Sequence, residues 1–285
     1  MKRLRAGLPA LLALFSCTPE PSSRIAAPVA AAPAPEIPGV EVRTIARALP
    51  TPLVTHVVTI DLAKAPGVLK VVADRDAAGH LVAATVRDLT AKHGLSLAVN
   101  ASFFRVPDGK YPQAGERAEV VGGLILEGKT VAKGKGSTLI DGALCLDGRT
   151  ARIEKGFECK GAAYGVASGP VLLLGGQRMD TEFADKIFKS LRHPRTAVGV
   201  DAAKKKVWFL VADGRQEGVS EGATLDELKE MLQGLGATDA INLDGGGSST
   251  LVVSTGSGPK VVNVPIHDRV PGRERPVADA VGMAK

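Results

Sequence analysis

Between residues 239 and 250 the sequence reads DAINLDGGGSST: a short apolar run closed by Asp244, then three glycines in succession and three hydroxyl side chains. No other stretch of the chain limits the backbone so tightly. An apolar run bounded by such breakers reads as a buried strand. The glycines after it permit a left-handed backbone and let main-chain N–H groups approach a ligand with no Cβ in the way. Gly245, Gly246, Gly247 and Ser248 are therefore expected to bind substrate, with Asn242 and Asp244 beside them. A glycine-rich hairpin turn is the plainer alternative for the same letters.

The segment upstream supplies a geometry for this turn. TLDE at 224–227 is a capping box, and Leu225, Leu228, Met231, Leu232 and Leu235 share one helical face until Gly236 ends it. A strand at 207–212 precedes this helix and one at 240–243 follows it. If those strands lie parallel in one sheet, the crossover carries both carboxyl ends to the same edge, where ligands bind in open sheets. Asp213 and Arg215 then neighbour Asp244.

The candidate site accordingly holds two carboxylates, Asp213 and Asp244, two guanidinium groups, Arg195 and Arg215, and His193. A guanidinium is a planar fork that matches phosphate oxygens, and glycine N–H groups add neutral donors. Paired carboxylates suit glycosidic cleavage, one stabilising or attacking the anomeric carbon while the other handles a proton or water. Together they point to a sugar joined to a phosphate, whose leaving group needs cationic clamping more than a strong acid. His193 before Pro194 is a proton carrier or a structural hydrogen-bonder.

Elsewhere the pattern is of short strands and polar turns. Runs at 54–62 and 67–73 are expected to form a hairpin across Lys64, Ala65 and Pro66, and 197–201 with 207–212 another across Lys204, Lys205 and Lys206. Residues 85–93 read as a short helix stopped by Gly94, followed by a buried strand at 95–99 that delivers Asn100. Further strands are expected at 123–127, 130–132, 137–141, 143–146 and 150–153, and an apolar strand follows the turn at Ser168, Gly169 and Pro170. Residues 180–191 read as a short helix or ordered loop. The run GLILEGKT at 123–130 fits the phosphate-loop pattern by letter, but its variable positions are strand-like and no helix follows, so it is set aside. The expected class is α+β: mixed, largely antiparallel sheets with few helices in a single catalytic domain.

The amino terminus has a different character. A basic start at Lys2, Arg3 and Arg5, a short apolar core and Cys17 resemble a bacterial lipoprotein signal, in which residues 1–16 are removed and Cys17 carries lipid. Residues 17–41 are a Pro- and Ala-rich spacer, and 42–285 the folded domain. The protein is thereby expected at the cell envelope, on the periplasmic or outer-membrane face, with the membrane as a partner through the lipid at Cys17. The leader also accounts for half of the formal charge of +6, so composition carries no nucleic-acid footprint. Cys145 and Cys159 either form a disulfide or stand as two buried thiols.

Several of these runs occur together in one known family. HPRTAVG at 193–199, VADGRQ at 211–216, the capped helix and AINLDGGGSST at 240–250 resemble, in this order, the phosphodiester glycosidase domain family. AVNASFF at 98–104, SGP at 168–170 and RPVA at 275–278 are similar to further motifs of that family, with Ala101 and Ser102 departing from an expected glycine-rich continuation. The resemblance implies hydrolysis of the bond between an anomeric carbon and a phosphodiester oxygen. It implies Asp244 as the carboxylate at the anomeric centre, Asp213 as the second acid/base group, Arg195 and Arg215 on phosphate, and Asn100, Ser168 and Asn242 in binding. The substrate would be a phosphate-linked envelope glycan. No cofactor is required by the sequence, and a divalent metal and the oligomeric state are left open. A non-catalytic glycan-binding lipoprotein and a metal-dependent phosphodiesterase are the alternative readings.

Overall fold

A computed structural model of the chain describes residues 37–105, 110–134, 139–181 and 190–284. The expected signal peptide, Cys17 and the spacer as far as residue 36 lie outside the described residues, as do most of 180–191 and part of the run expected at 137–141.

Among the described residues, every sheet is antiparallel and two α-helices accompany them. The largest sheet has the order β1 (Val40–Arg47), β2 (Leu53–Asp61), β15 (Lys206–Ala212), β14 (Arg195–Val200), β16 (Asp239–Asn242), β12 (Val171–Leu174) and β13 (Gln177–Arg178). A second follows β10 (Thr150–Lys155), β9 (Gly142–Asp147), β11 (Tyr164–Ser168), β7 (Leu124–Leu126) and β8 (Lys129–Ala132). A third follows β18 (Gly258–Val261), β17 (Leu251–Thr255), β6 (Leu95–Asn100), β19 (Ala280–Ala284) and β3 (Leu69–Val72). The short pair β4 (Asp74–Arg75) and β5 (Leu81–Val82) stands apart.

Side-chain alternation explains why the central strands are apolar throughout. In β15, Trp208, Leu210 and Ala212 pack with Leu225, Leu228 and Leu232 of helix α2 (Leu225–Leu235), whereas Val207, Phe209 and Val211 enter the larger core. A strand covered on both faces has no reason to alternate with polar residues. Helix α2 carries the expected capping box, and Gly236 closes it at φ 101°. Gly199 lets the helix approach, since a Cβ there would lie 2.9 Å from that of Ala237. Helix α1 (Val86–Lys92), capped by Thr85, precedes β6 as expected.

The crossover geometry also holds, with one strand interposed. β14 pairs antiparallel with both β15 and β16, so those two run in the same direction and end on one edge. The hairpin expected between 54–62 and 67–73 does not form. β2 pairs with β1 and β15, whereas β3 pairs with β19 in another sheet. The turn signal at 64–67 reverses the chain locally, but strand partners are chosen by distant apolar faces. The 123–130 run is a β7–β8 hairpin turning at Glu127 and Gly128, both at positive φ. Cys145 and Cys159 are joined in a disulfide within a small apolar cluster. No helix among the described residues is long and apolar enough to cross a membrane.

Candidate active site

Four chain segments meet at the shared sheet edge. β15 runs out into Asp213 and Arg215, β16 into Asp244 and the glycines, and β14 begins at Arg195 just after His193. The fourth segment comes from the third sheet, where β6 ends at Asn100. Its side chain bolts the two sheets together: Nδ2 donates to the Asp244 carbonyl at 2.6 Å, and Oδ1 accepts from Thr196 Oγ1 at 2.8 Å and the Thr250 amide at 3.1 Å. Asn100 is buried and ties the two sheets together through these three bonds.

Asp213 is enclosed as well. Its Oδ1 accepts from Asn263 Nδ2 and the Val264 amide, both at 3.0 Å, and its Oδ2 lies 3.1 Å from His56 Nε2. His56 Nδ1 in turn faces Thr44 Oγ1, and Asn263 Nδ2 also donates to the Ser249 carbonyl. A carboxylate this buried and this well partnered supports the turn from beneath. Arg195, 1% exposed, donates from Nε to Ala223 O and from Nη2 to Leu191 O, both at 3.2 Å. Its guanidinium braces main-chain carbonyls, and burial followed by the charge of Arg215 lowers its pKa to about 10. Asn242 donates to Gly169 O and Leu243 O, and Ser168 is wholly buried.

Two of the three glycine amides are also committed. Gly245 N–H donates to Asp244 Oδ1 and Gly246 N–H to the Pro194 carbonyl, each at 2.8 Å. Two guanidiniums stand beside this glycine turn. Arg215 holds φ 59°, a left-handed conformation unusual for a residue with a side chain, and its Nη2 lies 3.1 Å from where a Cβ of Gly246 would be. Arg275, buried, donates from Nε to His267 Nδ1 at 3.2 Å and from Nη1 to Ser248 Oγ at 3.3 Å, and its Cζ sits 3.5 Å over the Tyr111 ring. Arg275, Tyr111 and His267 were not among the expected site residues; Arg275 entered only through the RPVA run. Arginine above an aromatic face is held by the ring quadrupole, which leaves the guanidinium edge available to an oxyanion.

The electrostatics are those of an incomplete ion cluster. Arg215 has its pKa lowered by burial of its head group and by the charges of Arg275 and Arg269. His193 is pushed down to about 4 by burial, Arg195 and Arg215, so its imidazole is neutral near pH 7. Asp244, half-buried as a residue but with an enclosed carboxyl, is raised to about 6, chiefly by burial; Ser248, Arg275 and the Gly245 amide oppose the rise and Asp279 adds to it. Asp279, fully buried, is likewise raised to about 6 by burial, against hydrogen bonds from Ser102. An acid inside the apolar stretch 276–284 is a sequence sign of a buried carboxylate, because such a residue is rarely enclosed without a purpose. Among the described residues, no group of three or more His, Cys, Asp or Glu side chains is gathered to hold a metal ion. The arrangement can hold an anion between Arg215 and Arg275 while presenting Asp244 to the atom next to it.

The family profile described as phosphodiester glycosidase matches residues 93–284. N-acetylglucosamine-1-phosphodiester alpha-N-acetylglucosaminidase of Mus musculus is 27% identical over 188 residues, covering 60% of this chain and 34% of that protein. The Bos taurus protein of the same name is 29% identical over 184 residues, covering 60% and 33%. The chain thus spans about a third of the length of these relatives. Among solved structures, the zebrafish catalytic domain of that name, auto-inhibited by its pro-peptide, superposes with a TM-score of 0.64 at 18% identity, over 87% of this chain and 83% of that one. A Synechocystis protein gives a TM-score of 0.55 at 16% identity, over 87% and 62%. The structures share the fold, the profile spans most of the folded residues, and the chain belongs to the phosphodiester glycosidase family.

Proposed function

We propose that this protein hydrolyses the glycosidic bond of a sugar-1-phosphodiester. The observation that carries the reading is the enclosed Asp244 carboxyl set against Ser248 and Arg275, with Arg215 close enough to Arg275 for the two cations to repel. A bound phosphodiester relieves that repulsion and brings its sugar C1 to the carboxylate. In the reaction the bond from C1 to the phosphate oxygen breaks, and its electron pair leaves with the phosphate. Arg215 and Arg275 stabilise the charge gathering on the departing phosphomonoester, and ionised Asp244 stabilises or captures the electron-poor anomeric carbon. Water then supplies the new hydroxyl at C1, breaking any bond to Asp244, and its remaining proton passes to the departed phosphomonoester. A phosphate leaving group needs little protonation, which suits a His193 that is neutral near pH 7.

Asp213, Arg195 and Asn100 act by holding the turn and the sheet edge in place, and Gly247 by making room for Arg275. Relatives named for N-acetylglucosamine-1-phosphodiesters make the methyl diester of α-N-acetylglucosamine 1-phosphate the first probe. A phosphate-linked envelope glycan remains the natural substrate we infer, from the lipoprotein-like leader and the spacer behind Cys17. Metabolic labelling with a fatty acid, comparing the wild type with Cys17→Ala, tests the anchor: label lost in the variant supports it, and unlabelled wild type refutes it.

Hydrolysis of the probe in oxygen-18 water tests the reaction. Label in the sugar hydroxyl is expected. Label in phosphate would assign the site to phosphodiester cleavage instead, and binding without turnover would make it a glycan-binding module.

A further inference from the structure

Asp279 takes no direct part in the reaction just described, and its surroundings are unusual for an acid. It is wholly buried immediately before β19. Both of its oxygens are engaged by a single residue: Oδ1 accepts from the Ser102 amide at 2.7 Å and Oδ2 from the Ser102 hydroxyl at 2.6 Å. Among the described residues no cation forms an ion pair with it. Ser102 closes a three-residue strap whose other two members hold Asp244. Asn100 donates to the Asp244 carbonyl, and the Asp244 amide donates to Ala101 O at 3.0 Å. The β6–β19 register, with Asn100 opposite Ala280, fixes both acids to this strap.

Hydrogen bonding alone does not require an acid at 279. An asparagine would keep both contacts, accepting from the Ser102 amide and donating from Nδ2 to its hydroxyl oxygen. What the carboxylate adds is charge. We propose that Asp279 is a positioning residue of the Asp244 centre, whose negative charge, fixed by Ser102, opposes ionisation of Asp244 across the strap 100–102. This inference deepens the glycosidase reading and rests on it.

The groups facing Asp244 are Arg275, Arg215 beside Gly246, the Ser248 hydroxyl, the Gly245 amide and Asp279; Asp279 itself faces Ser102. Arg275, Ser248 and the Gly245 amide favour an ionised Asp244, and Asp279 is the one group here that opposes it by charge, as the smallest of these contributions. Neutralising Asp279 should therefore let Asp244 ionise at lower pH.

The test is the pH dependence of kcat/KM for wild type and Asp279→Asn on the methyl diester probe. The acid limb is expected to move down by up to about one pH unit, so that activity at low pH rises up to about tenfold relative to the plateau. An acid limb that stays in place, with only the amplitude reduced, overturns the inference. If Asp279→Asn does not accumulate, carbon-13 titration of aspartate carboxyls in wild type and Asp244→Asn decides instead. The Asp279 midpoint should fall in the variant, and an unchanged midpoint overturns the inference. Wild-type protein inactive on the probe defeats the glycosidase reading, while the carboxyl titration still judges the coupling.

Discussion

Gly247 and Arg275 fit together only because position 247 carries no side chain: a Cβ there would lie 2.7 Å from Cζ of Arg275, well inside van der Waals contact. The guanidinium is trapped on its other side by Tyr111 and tied to Ser248 and His267, so it has nowhere to retreat. Gly247→Ala is expected to displace Arg275 and lower kcat/KM about a hundredfold, the cost of misplacing a positioning group by about 1 Å. Gly246→Ala meets the flexible end of Arg215 instead, but at φ 62° it strains the backbone. Steady-state kinetics with circular dichroism on both variants separate the two effects; wild-type kinetics for Gly247→Ala would remove Arg275 from the site.

Arg275→Lys keeps the charge and loses the fork. A lysine cannot satisfy His267 and Ser248 together while lying flat on Tyr111, so the variant should bind phosphate poorly. A rise in KM of at least about tenfold is expected, with the larger loss in kcat/KM. Arg195→Lys loses the fork that reaches the carbonyls of Leu191 and Ala223, and a lower melting temperature is expected.

Asp244 links activity to stability with a definite sign. Its pKa in the folded chain, about 6, lies above the ordinary value of 3.8, so between these pH values the folded state binds more protons than the unfolded one. Stability contributed by this group is present at low pH and lost as pH rises through about 6. Asp244→Asn should therefore abolish turnover yet melt at higher temperature than wild type at pH 7.5, with the advantage shrinking toward pH 4. Melting curves across this range check it; a variant equally destabilised at every pH contradicts the enclosed-carboxyl picture.

The Cys145–Cys159 disulfide closes a loop of 14 residues and is buried in its own apolar cluster. Replacing both cysteines by serine is expected to cost about 3 kcal/mol in chemical denaturation. Turnover at low temperature should be unaffected, because neither cysteine lies among the residues gathered around Asp244. A stability loss below about 1 kcal/mol would indicate that the unfolded chain is little constrained by the bond.

Elements set by neighbouring residues were legible in the letters. The Thr224–Glu227 capping box, the apolar face of α2 and the glycine stop are all contained within thirteen residues, and the β14–β15 hairpin across Lys204, Lys205 and Lys206 within eighteen. The failure of the β2–β3 hairpin marks the boundary of such reasoning. Its turn was real, but β3 took β19 as partner.

Site residues divide along the same line. The turn that carries Asp244 and the glycines was legible because strand, acid and turn are consecutive. The surroundings of Asp213 were not, since His56 and Asn263, which enclose it, stand 157 and 50 residues away. An acid followed by glycine at a strand end looks identical whether it faces solvent, substrate or the interior.

By itself the sequence determined the α2 unit, the glycine turn after Asp244 and the strand that delivers Asn100, because each depends on dihedral preferences and apolar spacing within a few residues. Only the tertiary structure decided that Ser102 would meet Asp279 across 177 residues and that Arg275 would close on Gly247. Those meetings follow from which apolar faces pack against one another throughout the chain, and such packing leaves no periodic trace in any short stretch of residues.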